Sequence, residues 1–397
     1  MASKEGKLSI LQYLGFAVLS LFFYMYTLGS LYGQGDAYLS IFYVAIAIAV
    51  VIFIKDNKLL SQYRKYYLWQ SIFIAFIAFS ALYTTDPDPS AHILVMFKIL
   101  LKVTTVAIIC KNFDGVRFLM LCLTIVGVAV FITLYLRGLL NISERLGYDI
   151  MGNANSFGLM ASVFFTGAMF SVFDTKSKLL KSCLLLAVLL DLLLIILTGG
   201  RKFLLYAVLF VFLSLLVKGR VRVTRLALVT IVMGVVVYIS AYFIMHNDYL
   251  YDAIGYRFDG LFGEGAEGVD DQSEIMLRGL ELFSQKPIFG WGVNAFKYSG
   301  GFGFYAHSNY IELLADFGLV GTVIYYSNLL WCAVVMWRSR RRRNEEYTFY
   351  FPLLISIFVL EVFSITFNQT AYVPLFIMLI SGYCNRLNKE RKLGFNG

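Results

Sequence analysis

Apolar runs of about 20 residues recur along the chain, each closed by a short charged or turn-forming segment, and as a helix each is long enough to cross the hydrocarbon core of a bilayer. Twelve such spans are expected. The first four lie near residues 9–28, 38–54, 66–83 and 91–110, and a fifth ends near Leu136. The sixth precedes Lys176, the seventh ends at Thr198, the eighth leads into Lys218 and the ninth finishes near Met245. The last three fall near 308–335, 349–366 and 370–384. Open sheets would leave backbone groups unpaired in lipid, so the pattern predicts an all-α integral membrane protein, one polytopic domain over 1–397. One long hydrophilic stretch, 246–306, forms a large extracytoplasmic loop between spans nine and ten. The opening run reads as span one rather than a signal peptide, because it is too long and lacks a small-residue cleavage site.

Composition agrees with this reading. With 59% hydrophobic and 15% charged residues, too little polar surface remains for a water-soluble globule. A net charge of +9 raises the question of nucleic acid, but Lys and Arg cluster in every second connection, as in Lys176, Lys178 and Lys181 or the run Arg340 to Arg343. That is the positive-inside bias rather than a basic binding face, so no nucleic-acid partner is expected and both ends are placed in the cytoplasm. The five cysteines fall in or at the ends of spans without CxxC spacing and read as small buried apolar residues.

The cations that break the bias are Arg137, Arg145, Arg201, Lys202, Arg257, Arg278, Lys286 and Lys297, all on the expected outer side. Orientation pushes positive charge off that face, so cations retained there are candidates for holding an anion. The planar fork of arginine suits a diphosphate; headgroup anchoring is the plainer alternative. Arg278 sits in DDQSEIMLRGLELFSQKP, which predicts a short helix capped by Asp271 or Ser273, with Met276, Leu280 and Phe283 on its apolar face. Glu274 and Glu281 flank Arg278 at helical spacing and could pair with it. Within span four, Lys98 and Lys102 should face the bundle interior, where Asp191 or Glu361 could pair with them; holding a lipid phosphate is the alternative.

A glycine-rich stretch opens with Gly290, Gly292, Gly300, Gly301 and Gly303, breaks at His307-Ser308-Asn309, and runs into the helical pattern of span ten. Glycines there allow positive φ and a close approach to a ligand, and the following helix gives His307 a platform. Histidine is the side chain best suited to take a proton from a sugar hydroxyl near neutral pH. Three scattered histidines without carboxylate neighbours at ligand spacing predict no zinc site, and no Walker or kinase signature is present.

The segments PIFGWGVNAF and AHSNYIELLADFGLVGTVIYY are similar to the signature of the O-antigen polymerase and O-antigen ligase superfamily of bacterial surface-polysaccharide enzymes. TGGRKFLL, RGLELFSQKPIFG and ERLGYDIMGNANSFG extend the resemblance over about residues 140 to 325. It implies a GT-C-like membrane glycosyltransferase in the bacterial inner membrane that acts outside the cytoplasm, without metal or other cofactor. Undecaprenyl-diphosphate-linked oligosaccharide would be both donor and acceptor. On this resemblance His307 is the candidate base, Arg201 and Arg278 bind diphosphate, Arg145 is a further binder, and Asn309 orients the histidine or a sugar. The tyrosines that end the signature favour a polymerase of O-antigen or capsule. The alternatives are a ligase that transfers the glycan to lipid A core or protein, and a flippase for lipid-linked oligosaccharide. A chain-length regulator and a flippase are conceivable partners, besides membrane lipids.

Overall fold

A computed structural model describes residues 8–33, 36–56, 59–140, 145–217, 267–340, 345–368 and 372–392. They are helical, with no strand among them. In chain order the helices are α1 (Ile10–Leu28), α2 (Ala37–Lys55), α3 (Arg64–Ser80), α4 (Pro89–Cys110), α5 (Phe113–Leu136), α6 (Tyr148–Met151) and α7 (Ala154–Asp174). There follow α8 (Lys178–Leu197), α9 (Arg201–Val217), α10 (Glu267–Gln285), α11 (Ala295–Ser299), α12 (Asn309–Arg338), α13 (Glu345–Val362) and α14 (Tyr372–Lys392).

Among the described residues, α1, α2, α4, α5, α7, α8 and α12 are long and apolar enough to cross a membrane. Helices also stand where spans three, eight, eleven and twelve were expected, as α3, α9, α13 and α14. Span nine, His246, Arg257 and the first part of the long loop lie outside the described residues. The described residues divide into two compact units: those up to 59 with 105–217, and 60–104 with 267–392.

In the first unit α7 is the most enclosed helix, with almost every residue from Phe157 to Val172 buried. Its small residues explain why. A Cβ on Gly158 would sit 2.4 Å from the Phe203 ring, and one on Gly167 would sit 2.8 Å from the Met120 carbonyl, so both glycines let α9 and α5 close in on α7. Thr166 and Tyr206 hydroxyls share a hydrogen bond of 2.8 Å across the same contact. Asp191 of α8 is fully buried, and neither carboxylate oxygen has a hydrogen-bond partner among the described residues.

The second unit is built around α12, which touches α3, α10, α11, α13 and α14. Gly318 (φ 61°, ψ −163°) kinks it, leaving a first limb of Asn309 to Phe317. Glu361 takes hydrogen bonds from the Tyr325 hydroxyl (2.8 Å) and the Thr366 hydroxyl (2.6 Å), not from a lysine. The expected pairing with Lys98 or Lys102 is therefore replaced, for this carboxylate, by neutral donors that need no second buried charge. Asn309 Oδ1 accepts from the backbone N–H groups of Thr366 (3.1 Å) and Phe367 (3.4 Å). Those groups are held by a side chain beyond the last turn of α13, so the helix stops at Val362, short of the expected end near 366.

Candidate active site

In the first unit the turn between α8 and α9 collects positive charge. Thr198, Gly199 and Gly200 close α8 with Gly199 at φ 63°, and α9 starts at Arg201 and Lys202. Arg145 comes to this turn from a distant stretch of chain. Its Nε donates to the Thr198 carbonyl at 2.9 Å, its Nη2 donates to Asn155 Oδ1 at 3.4 Å, and Leu146 N–H donates to the Leu197 carbonyl at 3.0 Å. A Cβ at Gly199 would lie 3.4 Å from Arg145 Nε, so the glycine sets how closely the guanidinium can lie. Arg145 and Lys202 are near enough to repel each other. The structure thus brings Arg145 to the turn that carries Arg201, a charge cluster suited to an anion.

In the second unit the glycine-rich stretch lies against the kink of α12. Gly292 N–H donates to the Asp316 carbonyl (2.7 Å) and Trp291 N–H to the Ala315 carbonyl (3.0 Å). On the far side of the kink, Leu319 and Val320 N–H donate to the carbonyls of Pro287 (2.8 Å) and Ile288 (3.1 Å). A Cβ on Gly290 would fall 2.4 Å from the Asp316 carbonyl oxygen, and one on Gly318 2.5 Å from that of Ile288. The close approach that these glycines permit is therefore to the protein's own backbone rather than to a ligand. The turn after α3 fixes the other side: Tyr83 Oη donates to the Phe289 carbonyl (2.9 Å), Thr84 Oγ1 to the Val293 carbonyl (2.6 Å), and Asn294 Nδ2 to Asp86 Oδ2 (3.0 Å).

Two buried carboxylates one turn apart on α12 hold the stretch from beneath. Asp316 Oδ1 accepts from Phe296 N–H at 2.7 Å, and Glu312 Oε2 accepts from Ala306 N–H at 2.6 Å. Between these two clamps the chain runs through Gly301 and Gly303, both at positive φ with open space around them. His307 follows directly after the second clamp at φ 56°, a left-handed conformation uncommon outside glycine. Its ring lies 5.6 Å from that of Phe304 and 4.8 Å from that of Tyr305, and it lines a small cavity of about 20 Å³ with Ile275, Met276, Ala306, Val362 and Phe363.

Arg278 sits on α10, the helix that also carries Ile275 and Met276 of that cavity, and is not itself among the cavity's lining residues. Its Nη1 donates to Glu281 at 2.6 Å, and its Nε and Nη2 donate to the carbonyls of Gly300 (3.3 Å) and Ser299 (3.2 Å). A guanidinium has five N–H groups, so among the described residues two are left over for an incoming oxygen. Of the two glutamates expected beside Arg278, the structure selects Glu281. Helix α10 begins at Glu267, so Asp271 and Ser273 lie inside it instead of capping it. Its buried face is Ile275, Gly279 and Leu282 rather than Met276, Leu280 and Phe283. Gly279 decides the rotation, because a Cβ there would strike Ile311 of α12 at 2.1 Å. Asn309 is fully buried, with its amide committed to Tyr326, Thr366 and Phe367.

Residues 186–326 match the O-antigen ligase family. The match supports the superfamily of O-antigen ligases and polymerases that the signature segments resemble. It takes in Arg201, Arg278, His307 and Asn309 and ends before reaching back to Arg145. A search of curated proteins finds no match. Glu312 and Asp316, which hold the histidine loop, were not singled out from the sequence. The signal available was two acidic residues four apart at the start of an apolar span, where a charge needs a partner.

Proposed function

We propose that the protein is a polysaccharide polymerase that joins undecaprenyl-diphosphate-linked repeat units on the outer face of the cytoplasmic membrane. The observation that carries this reading is one loop held at both ends, with Arg278 on the carbonyls of Ser299 and Gly300 at its start and His307, next to the Ala306–Glu312 clamp and lining a cavity, at its end. A base to take the acceptor's proton and a guanidinium to stabilise the leaving diphosphate are what glycosyl transfer from a lipid diphosphate calls for. In the proposed step His307 takes the proton of an acceptor hydroxyl, whose oxygen attacks the anomeric carbon. The bond from that carbon to the diphosphate oxygen breaks, undecaprenyl diphosphate leaves with the electron pair, and the configuration inverts. Arg278 stabilises the negative charge that develops on the diphosphate. In the first unit Arg201, with Arg145 brought to the same turn, is a proposed diphosphate binder in its own right. Asn309 ties the residue pair after His307 to the 366–367 backbone and so orients the histidine.

The family description favours a second reading, a ligase that transfers the finished glycan to lipid A core or protein. One reconstituted reaction separates the two: a single lipid-diphosphate repeat unit is supplied with no other acceptor. A ladder of lengths supports the polymerase, and unchanged substrate that is consumed only when a core acceptor is added supports the ligase.

A further inference from the structure

The segment between the two carboxylate clamps is built to present aromatic rings beside His307. Phe302 turns inward and packs against a cluster of Ile275, Leu282, Phe296, Ala306 and Ala315. Phe304, two residues on, turns outward and is 39% exposed. The Phe302 and Phe304 rings lie 5.7 Å apart, and Phe304 and Tyr305 then flank the imidazole. Gly301 (φ 90°) and Gly303 (φ 73°) have nothing within 4 Å of a notional Cβ. Glycine is needed there for backbone direction, not for want of room. The backbone is thus shaped to turn Phe304 away from the cluster that holds Phe302.

We infer that Phe304 and Tyr305 form a stacking platform for a pyranose ring of the acceptor glycan, beside the imidazole that deprotonates it. One face of a pyranose carries mainly C–H groups, which suit the negative face of an aromatic ring, while its hydroxyls lie at the rim. A sugar laid on Phe304 presents a rim hydroxyl to His307. Arg278, which holds the carbonyls of Ser299 and Gly300, anchors the base of the same loop, so diphosphate and acceptor sugar would meet across it. The platform would select sugars by the shape of their C–H face, a specificity the histidine alone cannot supply. This inference rests on the proposed glycosyl transfer and names the acceptor's place in it.

The test uses the full-length protein in nanodiscs with 4-fluorophenylalanine at position 304, titrated with a soluble oligosaccharide cut from the host's own surface polysaccharide. A saturable fluorine shift is expected. In the transfer assay Phe304→Ala should raise the acceptor KM about tenfold, the size of one aromatic contact, with donor KM within about twofold and Phe304→Trp restoring the acceptor KM. No shift with the oligosaccharide, a shift only with polyprenyl phosphate, or an unchanged acceptor KM in Phe304→Ala each overturns the platform. His307→Ala separates the two levels. If it stays active the transfer reading falls; if it is inactive while Phe304→Ala keeps a normal acceptor KM, only the platform falls.

Discussion

The N–H of Ala306 donates to the Glu312 carboxylate at 2.6 Å inside the protein, one residue before His307. The carboxylate lies in the first turns of α12, where the helix dipole favours negative charge, and it reaches back past the N-cap Ser308 to the loop before the helix. It fixes the backbone from which the imidazole projects. Replacing Glu312 with Leu leaves a buried N–H unpaired at a cost of about 1–3 kcal/mol, and transfer should fall at least tenfold while donor binding persists. Glu312→Gln keeps an acceptor and should recover most of the activity. Equal activity in the Leu and Gln variants would remove Glu312 from this role.

The glycines separate into two classes that one scan can tell apart. A Cβ at Gly292 would lie 2.6 Å from Thr84 Cα and 2.7 Å from the Ser80 carbonyl, with no flexible atom to yield. Gly292→Ala should cost about 2–4 kcal/mol and lower the yield of folded protein. Gly301→Ala meets open space and carries only the positive-φ strain, about 1 kcal/mol. Thermal unfolding in detergent should rank the two variants in that order.

Arg278 holds two carbonyls and a carboxylate. Lysine carries the charge but cannot span those partners. Arg278→Lys should therefore raise donor KM and lower kcat together, by about tenfold or more in kcat/KM, rather than behave as a conservative change. Steady-state kinetics with the lipid-diphosphate donor reads both constants.

Glu361 sits among neutral donors, so its charge is not what the fold uses. Glu361→Gln keeps an acceptor for Tyr325 and Thr366 and should unfold within about 1 kcal/mol of the native protein. Glu361→Leu removes the acceptor of two buried hydroxyls, leaving them only their long contact with each other (3.3 Å), and should destabilise by about 1–3 kcal/mol. Denaturation midpoints of the two variants check the difference.

Much of the fold was legible from hydrophobic run length alone, because a helix that crosses lipid must be apolar for its whole length. Arg145 and Arg201 both stood out in the sequence as arginines on the expected outer side, and the structure brings Arg145 to the turn before Arg201. The rotation of α10 was not legible, since its buried face turns on Gly279, a residue with no hydrophobic signal. Nor was the role of Gly290 and Gly292: a positive-φ glycine looks the same in sequence whether a ligand or the chain's own Asp316 carbonyl stands opposite. The partners of Glu361 were misread because intramembrane lysines suggested a salt bridge, whereas tyrosine and threonine hydroxyls satisfy a buried carboxylate without a second desolvated charge.

The most direct test of His307 as base and Arg278 as diphosphate binder is transfer by purified protein in liposomes, supplied only with lipid-diphosphate oligosaccharide. The native protein should lengthen the glycan and release undecaprenyl diphosphate. His307→Ala and Arg278→Ala, folded by their thermal midpoints, should each lose about a hundredfold or more of that rate. Product formed by His307→Ala at the native rate would contradict the account.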